Sequence, residues 1–291
     1  MATPRSLTPT PRPLRGRPAF PFWWLALLLL AWWRPTSPGW PPLCLWLGGH
    51  IERVYIPLST GENLPGRVYL PPCYDQNPTR RYPLLLLLHG QGYTDSQWDY
   101  LGLDETADRL IPSRRLPPFV AFMPRETTWD LPPQANFDRI LVQEALPWLE
   151  NRYRLRARPR YRAVGGISRG GAWALRLGLM HWQIFGAVGG HSAPLFAGDG
   201  IRVHRWLDAI PQGRWPRIYL DIGDADQASI LKSIQDLERL LAQRGIPHVW
   251  RFNVGRHDDV YWQRHLPEYL RWYTCSWGAT ETSCPGEQIP P

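Results

Sequence analysis

Lysine is almost missing from this chain. Lys232 is the only one among 33 basic residues. Arg and Lys carry the same charge, so this absence neither adds nor removes a functional class. Acids are missing from the first 50 residues, where Arg5, Arg12, Arg15, Arg17 and Arg34 stand. Removing those five from the formal net charge of +8 leaves about +3 for the rest, an ordinary surface charge. We read no arginine-and-aromatic stripe as a binding face, and no nucleic-acid partner is expected. The four cysteines, Cys44, Cys73, Cys275 and Cys284, form no C-x-x-C pair, which excludes the usual zinc and redox motifs. There is no H-E-x-x-H and no calcium-loop spacing, so no metal is expected. Internal repeats are absent as well, which excludes solenoids and arrays.

What is present begins with an unusual N-terminus. Residues 1–18 are rich in Pro, Arg and Thr, and an apolar run from Ala19 to Trp33 follows, broken only by Pro21. A basic stretch before about 15 apolar residues is the pattern of a secretory signal or signal anchor. The run is shorter than the roughly 17–25 residues of a spanning helix, and Trp40 to Leu47 forms a second apolar patch. No small-x-small cleavage site follows. Arginines before the run predict a cytoplasmic N-terminus and a main domain outside the cytoplasm, secreted or anchored to the membrane through this segment. We therefore expect a signal or membrane-anchor segment at 1–48, a folded main domain at 49–275 and an irregular tail at 276–291. An exported protein with an even cysteine count permits disulfides. Cys275 and Cys284 are close in sequence and lie beyond the main core, which predicts that they pair.

From about residue 50, short apolar runs alternate with helical patterns, which predicts an α/β domain with a mostly parallel sheet. Val54–Pro57 and Arg67–Leu70 read as strands joined by a turn near Gly61. Leu84–Leu88 is five leucines in a row between Pro83 and Gly90, as suits a buried central strand. Phe119–Met123, Ala163–Ile167, Ile218–Ile222 and His248–Phe252 supply further strands. Helical spacing links Phe137, Ile140, Leu141, Ala145, Trp148 and Leu149, then Ile230 through Leu241, and a last helix covers about 260–273.

Gly166-Ile167-Ser168-Arg169-Gly170 is a G-x-S-x-G match. A shuffled chain of this composition gives about 0.08 such matches, so the context has to carry the argument. The motif follows a strand and precedes a helix, the setting of a nucleophile elbow that exposes a serine hydroxyl at the top of a sheet. A serine needs a base. In this fold an acid and then a histidine follow the serine in the chain. Asp221, Asp224 and Asp226 cluster at one strand end, and His257 follows the last strand. Asp221 lies inside an apolar strand, where local packing is expected, and Asp224 follows Gly223 in a turn. Asp226 is the acid best placed to reach the His257 loop. His89-Gly90-Gln91-Gly92 follows the leucine strand, and the Gln91 and Arg169 N–H groups are the expected oxyanion donors. Trp98, Trp129, His191 and Trp262 are candidates for the substrate pocket.

V-Y-L-P-P-C-Y-D (68–75), L-L-L-L-L-H-G-Q-G (84–92), G-G-I-S-R-G-G (165–171), I-Y-L-D-I-G-D-A-D (218–226) and G-R-H-D-D-V-Y-W (255–262), in this order, resemble the esterase D-like family. That family includes feruloyl esterases, enterochelin esterases, S-formylglutathione hydrolases and bacterial mycolyltransferases. The resemblance covers about residues 52–273. It implies an α/β-hydrolase fold, a Ser168–His257–Asp226 triad, an ester or thioester substrate and no cofactor. Many relatives have Gly where Cys73 stands, which marks either a local disulfide or a buried thiol, and Gln91 is bulkier than the small residue usual there. The expected activity is a serine carboxylesterase acting on a small-molecule or saccharide ester. The alternatives are a cell-envelope acyltransferase using the same triad and a catalytically silent hydrolase-fold binding module.

Overall fold

The computed structural model describes residues 48–132, 134–278 and 284. The expected signal or anchor segment, save Gly48, and most of the expected tail lie outside the described residues. Among the described residues, no helix is long and apolar enough to cross a membrane.

Eight strands form one sheet in the order β1-β2-β4-β3-β5-β6-β7-β8. The strands are β1 (His50–Pro57), β2 (Asn63–Leu70), β3 (Leu84–Leu88), β4 (Val120–Pro124), β5 (Arg162–Ile167), β6 (Ala187–His191), β7 (Arg217–Gly223) and β8 (Val249–Asn253). β1 and β2 make the antiparallel hairpin expected around Gly61, whose φ of 87° closes the turn. β2 joins β4 antiparallel, and from β4 to β8 every neighbouring pair is parallel. The five leucines of β3 are all buried, and the strand lies between β4 and β5.

Helices cover the sheet. They are α1 (Gln97–Tyr100), α2 (Leu103–Leu110), α3 (Phe137–Ile140, a π turn Leu141–Ala145, then Leu146–Arg152), α4 (Arg169–Met180), α5 (Asp199–Asp208), α6 (Ala228–Gln243) and α7 (Asp259–Thr274). Ile230, Ile234, Leu237 and Leu241 form the buried stripe of α6, the spacing of one helix face. Asp258 caps α7 by accepting the Tyr261 N–H at 2.9 Å.

β6 is a strand that the sequence reading lacked. Its Ala-Val-Gly-Gly-His sequence has low strand propensity. The glycines are there for space. A Cβ on Gly189 would lie 1.9 Å from the Tyr273 hydroxyl, as would one on Gly165 in the neighbouring strand. The expected Cys275–Cys284 disulfide is present, with a Cα–Cα separation of 5.4 Å. Cys73, buried at 4% exposure, is also disulfide-bonded, so it is not a thiol.

Candidate active site

The parallel strands deliver their C-terminal ends to one edge of the sheet, where ligands bind in such folds. Ser168 follows β5 directly and takes φ 54° and ψ −118°, a conformation that a non-glycine residue rarely adopts. The turn is possible because its flanks lack side chains. A Cβ on Gly166 would stand 2.2 Å from Gly170 backbone atoms, and one on Gly170 would stand 2.3 Å from the Leu88 carbonyl. The Ser168 N–H is held by the His191 carbonyl at 2.8 Å.

His257 lies four residues beyond β8. Its Nε2 is 2.9 Å from Ser168 Oγ, and its Nδ1 is 2.8 and 3.0 Å from the two carboxylate oxygens of Asp226. The Asp226 carboxylate is fully buried, whereas the imidazole keeps some exposure. With Nδ1–H donating to the carboxylate, Nε2 carries the lone pair that faces the serine. Asp226 also accepts the Gln227 N–H at 2.6 Å, which holds its own rotamer. Asp224 points elsewhere. It accepts the Gly255 N–H at 3.0 Å and so clamps the loop that carries His257. The two loops meet closely, since a Cβ on Gly223 would lie 2.3 Å from the Gly255 carbonyl.

The expected oxyanion donors, the Gln91 and Arg169 N–H groups, belong to the loop after β3 and to the first residue of α4. Neither the Gln91 nor the Arg169 N–H is taken by another group among the described residues. The peptide joining Gly90 to Gln91 is tightly held. His89 Nδ1 and the Tyr93 N–H both bond the Gly90 carbonyl, at 2.9 and 3.2 Å. A trans peptide is planar, so fixing its C=O aims its N–H the opposite way. His89 Nε2 accepts the Glu126 N–H at 3.0 Å, so the proton resides on Nδ1. Burial holds the His89 pKa below its ordinary value.

Beside the elbow, the Arg169 side chain is locked in a buried bidentate pair with Glu126, at 2.8 and 2.6 Å. The Trp173 indole also donates to Glu126, and Arg169 donates to the Asp130 carbonyl. Sequence reasoning assigned Arg169 only a backbone role. On the other flank, Tyr93 donates its hydroxyl to Asp259 Oδ2 at 2.7 Å, tying the loop after β3 to the first turn of α7. That bond is the main cause of the Tyr93 pKa being pushed up to about 12.

Of the four pocket candidates, the structure leaves one open to a ligand. Trp129 is 46% exposed, and its ring lies 5.4 Å from the Arg169 guanidinium. Trp98 is a core residue, 1% exposed, with its indole N–H spent on the Leu88 carbonyl. Trp262 is buried behind the site, its ring edge-on to His257 at 5.0 Å and its N–H on Ser192 Oγ. It packs against that imidazole and, at 3% exposure, lines no open pocket. His191 is fully buried in β6 opposite Asp221 of β7. Its Nδ1 is 2.6 Å from Asp221 Oδ1, and its Nε2 is 2.9 Å from the Tyr273 hydroxyl. Asp221 Oδ2 accepts two more hydroxyls, from Tyr261 and Tyr269. The expectation of local packing for Asp221 therefore understates a hub that joins two strands to α7. The sequence signal for it was a histidine and an aspartate at matching depths of adjacent strands. Among the described residues, no group of three or more His, Cys, Asp or Glu side chains could hold a metal ion.

The chain is similar over 153 residues, at 29% identity, to an endo-1,4-beta-xylanase/feruloyl esterase of Xylanibacter ruminicola, and over 160 residues, at 33%, to an esterase of Mycobacterium tuberculosis. These matches cover 48% and 50% of this chain but only 21% and 33% of those longer proteins. Its fold is similar to that of a ferulic acid esterase (TM-score 0.70, 24% identity, 80% of this chain and all of that one). It also resembles an S-formylglutathione hydrolase from Staphylococcus aureus (TM-score 0.62, 17% identity, 78% of this chain and 98% of that one). The model of the family described as "Putative esterase" matches residues 58–273, the span that carries every strand end of the site, and the chain belongs to that family.

Proposed function

We propose that this protein is a serine carboxylesterase in which Ser168 is the nucleophile, His257 the general base and Asp226 the orienting acid. The observation that carries this reading is the 2.9 Å contact between Ser168 Oγ and His257 Nε2 on a turn held at positive φ. Ser168 Oγ attacks the ester carbonyl carbon as its proton passes to His257 Nε2. Asp226 holds the Nδ1–H tautomer and stabilises the imidazolium that forms. The Gln91 and Arg169 N–H groups receive the oxyanion, in a site where fixed dipoles act with little solvent reorganisation. His257 returns the proton to the leaving alcohol, and water then releases the acid from the acyl-enzyme.

Trp129 offers an exposed aromatic face beside the nucleophile loop, which favours an aromatic acyl group. Relatives named feruloyl or ferulic acid esterases support the same choice. The basic and apolar start of the sequence, and the disulfide-bonded state of the described cysteines Cys73, Cys275 and Cys284, favour a catalytic domain outside the cytoplasmic membrane. The test is labelling of the full chain with a fluorophosphonate probe, followed by hydrolysis of feruloyl and acetyl p-nitrophenyl esters. Labelling confined to Ser168 with faster turnover of the aromatic ester is expected. Absence of both labelling and hydrolysis refutes the assignment.

A further inference from the structure

The edge of the sheet opposite the catalytic residues has its own chemistry. At that edge β3, β4, β5 and β7 begin, and the loops leading into them carry Arg80 and Arg81, Arg114 and Arg115, Arg156, Arg158 and Arg160, and Arg214. Six arginines alternate with other residues from Arg152 to Arg162. The sequence reading dismissed an arginine-and-aromatic stripe. The fold shows that this run and Arg80–Arg81 lie side by side, because Tyr82 bridges to Leu155. An aromatic ring is interleaved as well. Tyr161 lies under two guanidiniums, Arg156 at 4.5 Å and Arg160 at 4.4 Å.

Helix dipoles explain part of this. α2, α3, α5 and α7 end toward this edge, each with an arginine in its last turn, where the partial charge is negative. They do not explain Arg81, Arg156, Arg158 and Arg160, which lie outside α-helices. Among the described residues none of these four is paired with a carboxylate. Nearby Glu150 is bonded to Arg162 and Asp208 to Arg244. Arg81 donates to the Leu155 carbonyl and Arg156 to the Arg81 carbonyl, which leaves most of their donors unused. Arg81, Arg156 and Arg158 line an open groove of about 540 Å³ with Leu155, Ala157 and Tyr161.

We infer that this face docks on an anionic phospholipid surface, with headgroup phosphates in the Arg81–Arg156–Arg158 groove. Guanidinium forks match phosphate oxygens bidentately. Arginines without carboxylate partners are attracted to the negative surface of an anionic bilayer. A membrane is favoured over a soluble polyanion by the path of the chain. β1 begins at this same edge, since His50 pairs with Leu70 at the end of β2 remote from the site, and the basic and apolar residues 1–47 precede it directly. Docked this way, Ser168 faces away from the lipid toward soluble substrate. The inference rests on the proposed membrane attachment of the N-terminal segment, and the experiment separates the two.

The full chain is titrated with vesicles of phosphatidylcholine alone, or of phosphatidylcholine and phosphatidylglycerol in equal parts, at low and high salt. Binding to the neutral vesicles reports attachment through the N-terminal segment. The inference concerns only the gain on adding anionic lipid. We expect that gain to be at least tenfold in partition at low salt, to shrink at high salt, and to vanish in Arg81→Ser/Arg156→Ser/Arg158→Ser. Arg158→Glu alone should reduce it, the triple Lys variant should restore it, and hydrolysis of a small soluble ester should stay unchanged in all of them. No gain in the wild type, or an equal gain in the triple Ser variant, overturns the inference. So does variant-sensitive binding of a single-stranded oligonucleotide without any lipid gain, which would assign the face to nucleic acid.

Discussion

The molecule contains two histidine–aspartate pairs built almost alike. His257 and Asp226 are 31 residues apart and His191 and Asp221 are 30 apart, and in each an imidazole Nδ1 meets a buried carboxylate at 2.8 or 2.6 Å. They differ in what the other ring nitrogen faces. His257 Nε2 meets Ser168 Oγ at the rim of the cleft, with the ring 16% exposed. His191 Nε2 meets the Tyr273 hydroxyl, and its ring is stacked 3.8 Å from Tyr269 with no solvent access. A polarised imidazole becomes a base only where a proton can be delivered to it and carried away. In the sealed pair the donor is a phenol whose pKa is raised well above its usual value, first by burial and then by Asp221. That pair works as a fastener. It holds β6 to β7 and both to α7, and the His191 carbonyl in turn fixes the Ser168 N–H.

The comparison breaks most visibly at the serine. Ser168→Ala should fold with an unchanged melting temperature and lose at least about 10³-fold in kcat, leaving what the oxyanion donors alone provide. A variant retaining more than about a tenth of wild-type kcat would show that another group is the nucleophile.

The two aspartates should separate cleanly when each is made an amide. In Asp226→Asn the amide favours the wrong imidazole tautomer, and kcat should fall by about 10³–10⁴ with little change in stability. In Asp221→Asn the amide cannot accept from two tyrosines and a histidine as a carboxylate does. It should cost roughly 3 kcal/mol of stability, since each lost bond to a buried charged group is worth about 1.5–3 kcal/mol. Its kcat at a temperature where it is folded should fall by less than about tenfold. Denaturant titration and single-turnover kinetics on both variants measure this, and an exchange of the two phenotypes would reverse the roles assigned to the pairs.

Asp224→Asn sharpens the contrast on the catalytic side. It keeps an acceptor for the Gly255 N–H, so kcat should drop by less than roughly tenfold, with a stability loss near 1 kcal/mol. A drop comparable to that of Asp226→Asn would mean that clamping the loop matters as much as orienting the ring.

Most of the sheet and the members of the Ser168–His257–Asp226 arrangement could be read from sequence, because the strands and the elbow are local and the fold's chain order of serine, acid and histidine points to the two distant partners. An elbow is a strand, a tight turn and a helix within a dozen residues, and the leucine strand announces itself by composition. What escaped depends on packing between distant segments. β6 reads as a glycine loop until Tyr273, about 85 residues later, is seen to need the space above Gly189. Trp98 and His191 carry the same side chains whether they line a pocket or a core, and only burial distinguishes them. The arginine face was overlooked because net charge, about +3 for the domain, averages it with the acids at the opposite edge. There Asp95, Asp104, Asp199, Asp224 and Asp259 follow strands or open helices.

A third histidine extends the comparison to a ring with no carboxylate partner. His89 is buried, donates from Nδ1 to the Gly90 carbonyl and accepts from the Glu126 N–H at Nε2. A second proton at Nε2 would point directly at that N–H, and burial penalises the charge further, which is the main reason its pKa is lowered. The unfolded chain binds this proton as pH falls through about 6.5, while the folded protein does not. The unfolded state then holds more protons, so stability rises with pH in this window and is lost as pH falls below about 6.5. The loss from one such group approaches about 1.4 kcal/mol per pH unit until the folded ring itself protonates. His181, also lowered by burial, adds a similar slope, so the wild-type curve alone does not isolate His89. His89→Gln removes one titrating group while keeping a side chain able to donate to Gly90. Its stability, followed by denaturant unfolding between about pH 5 and 7, should decline less steeply than that of the wild type. At pH 7 the variant should be weaker by about 1 kcal/mol, for the lost Glu126 contact. Parallel pH curves for the two proteins would mean that His89 protonates in the folded state as easily as in the unfolded one, and that the Gly90–Gln91 peptide is not held by a neutral ring.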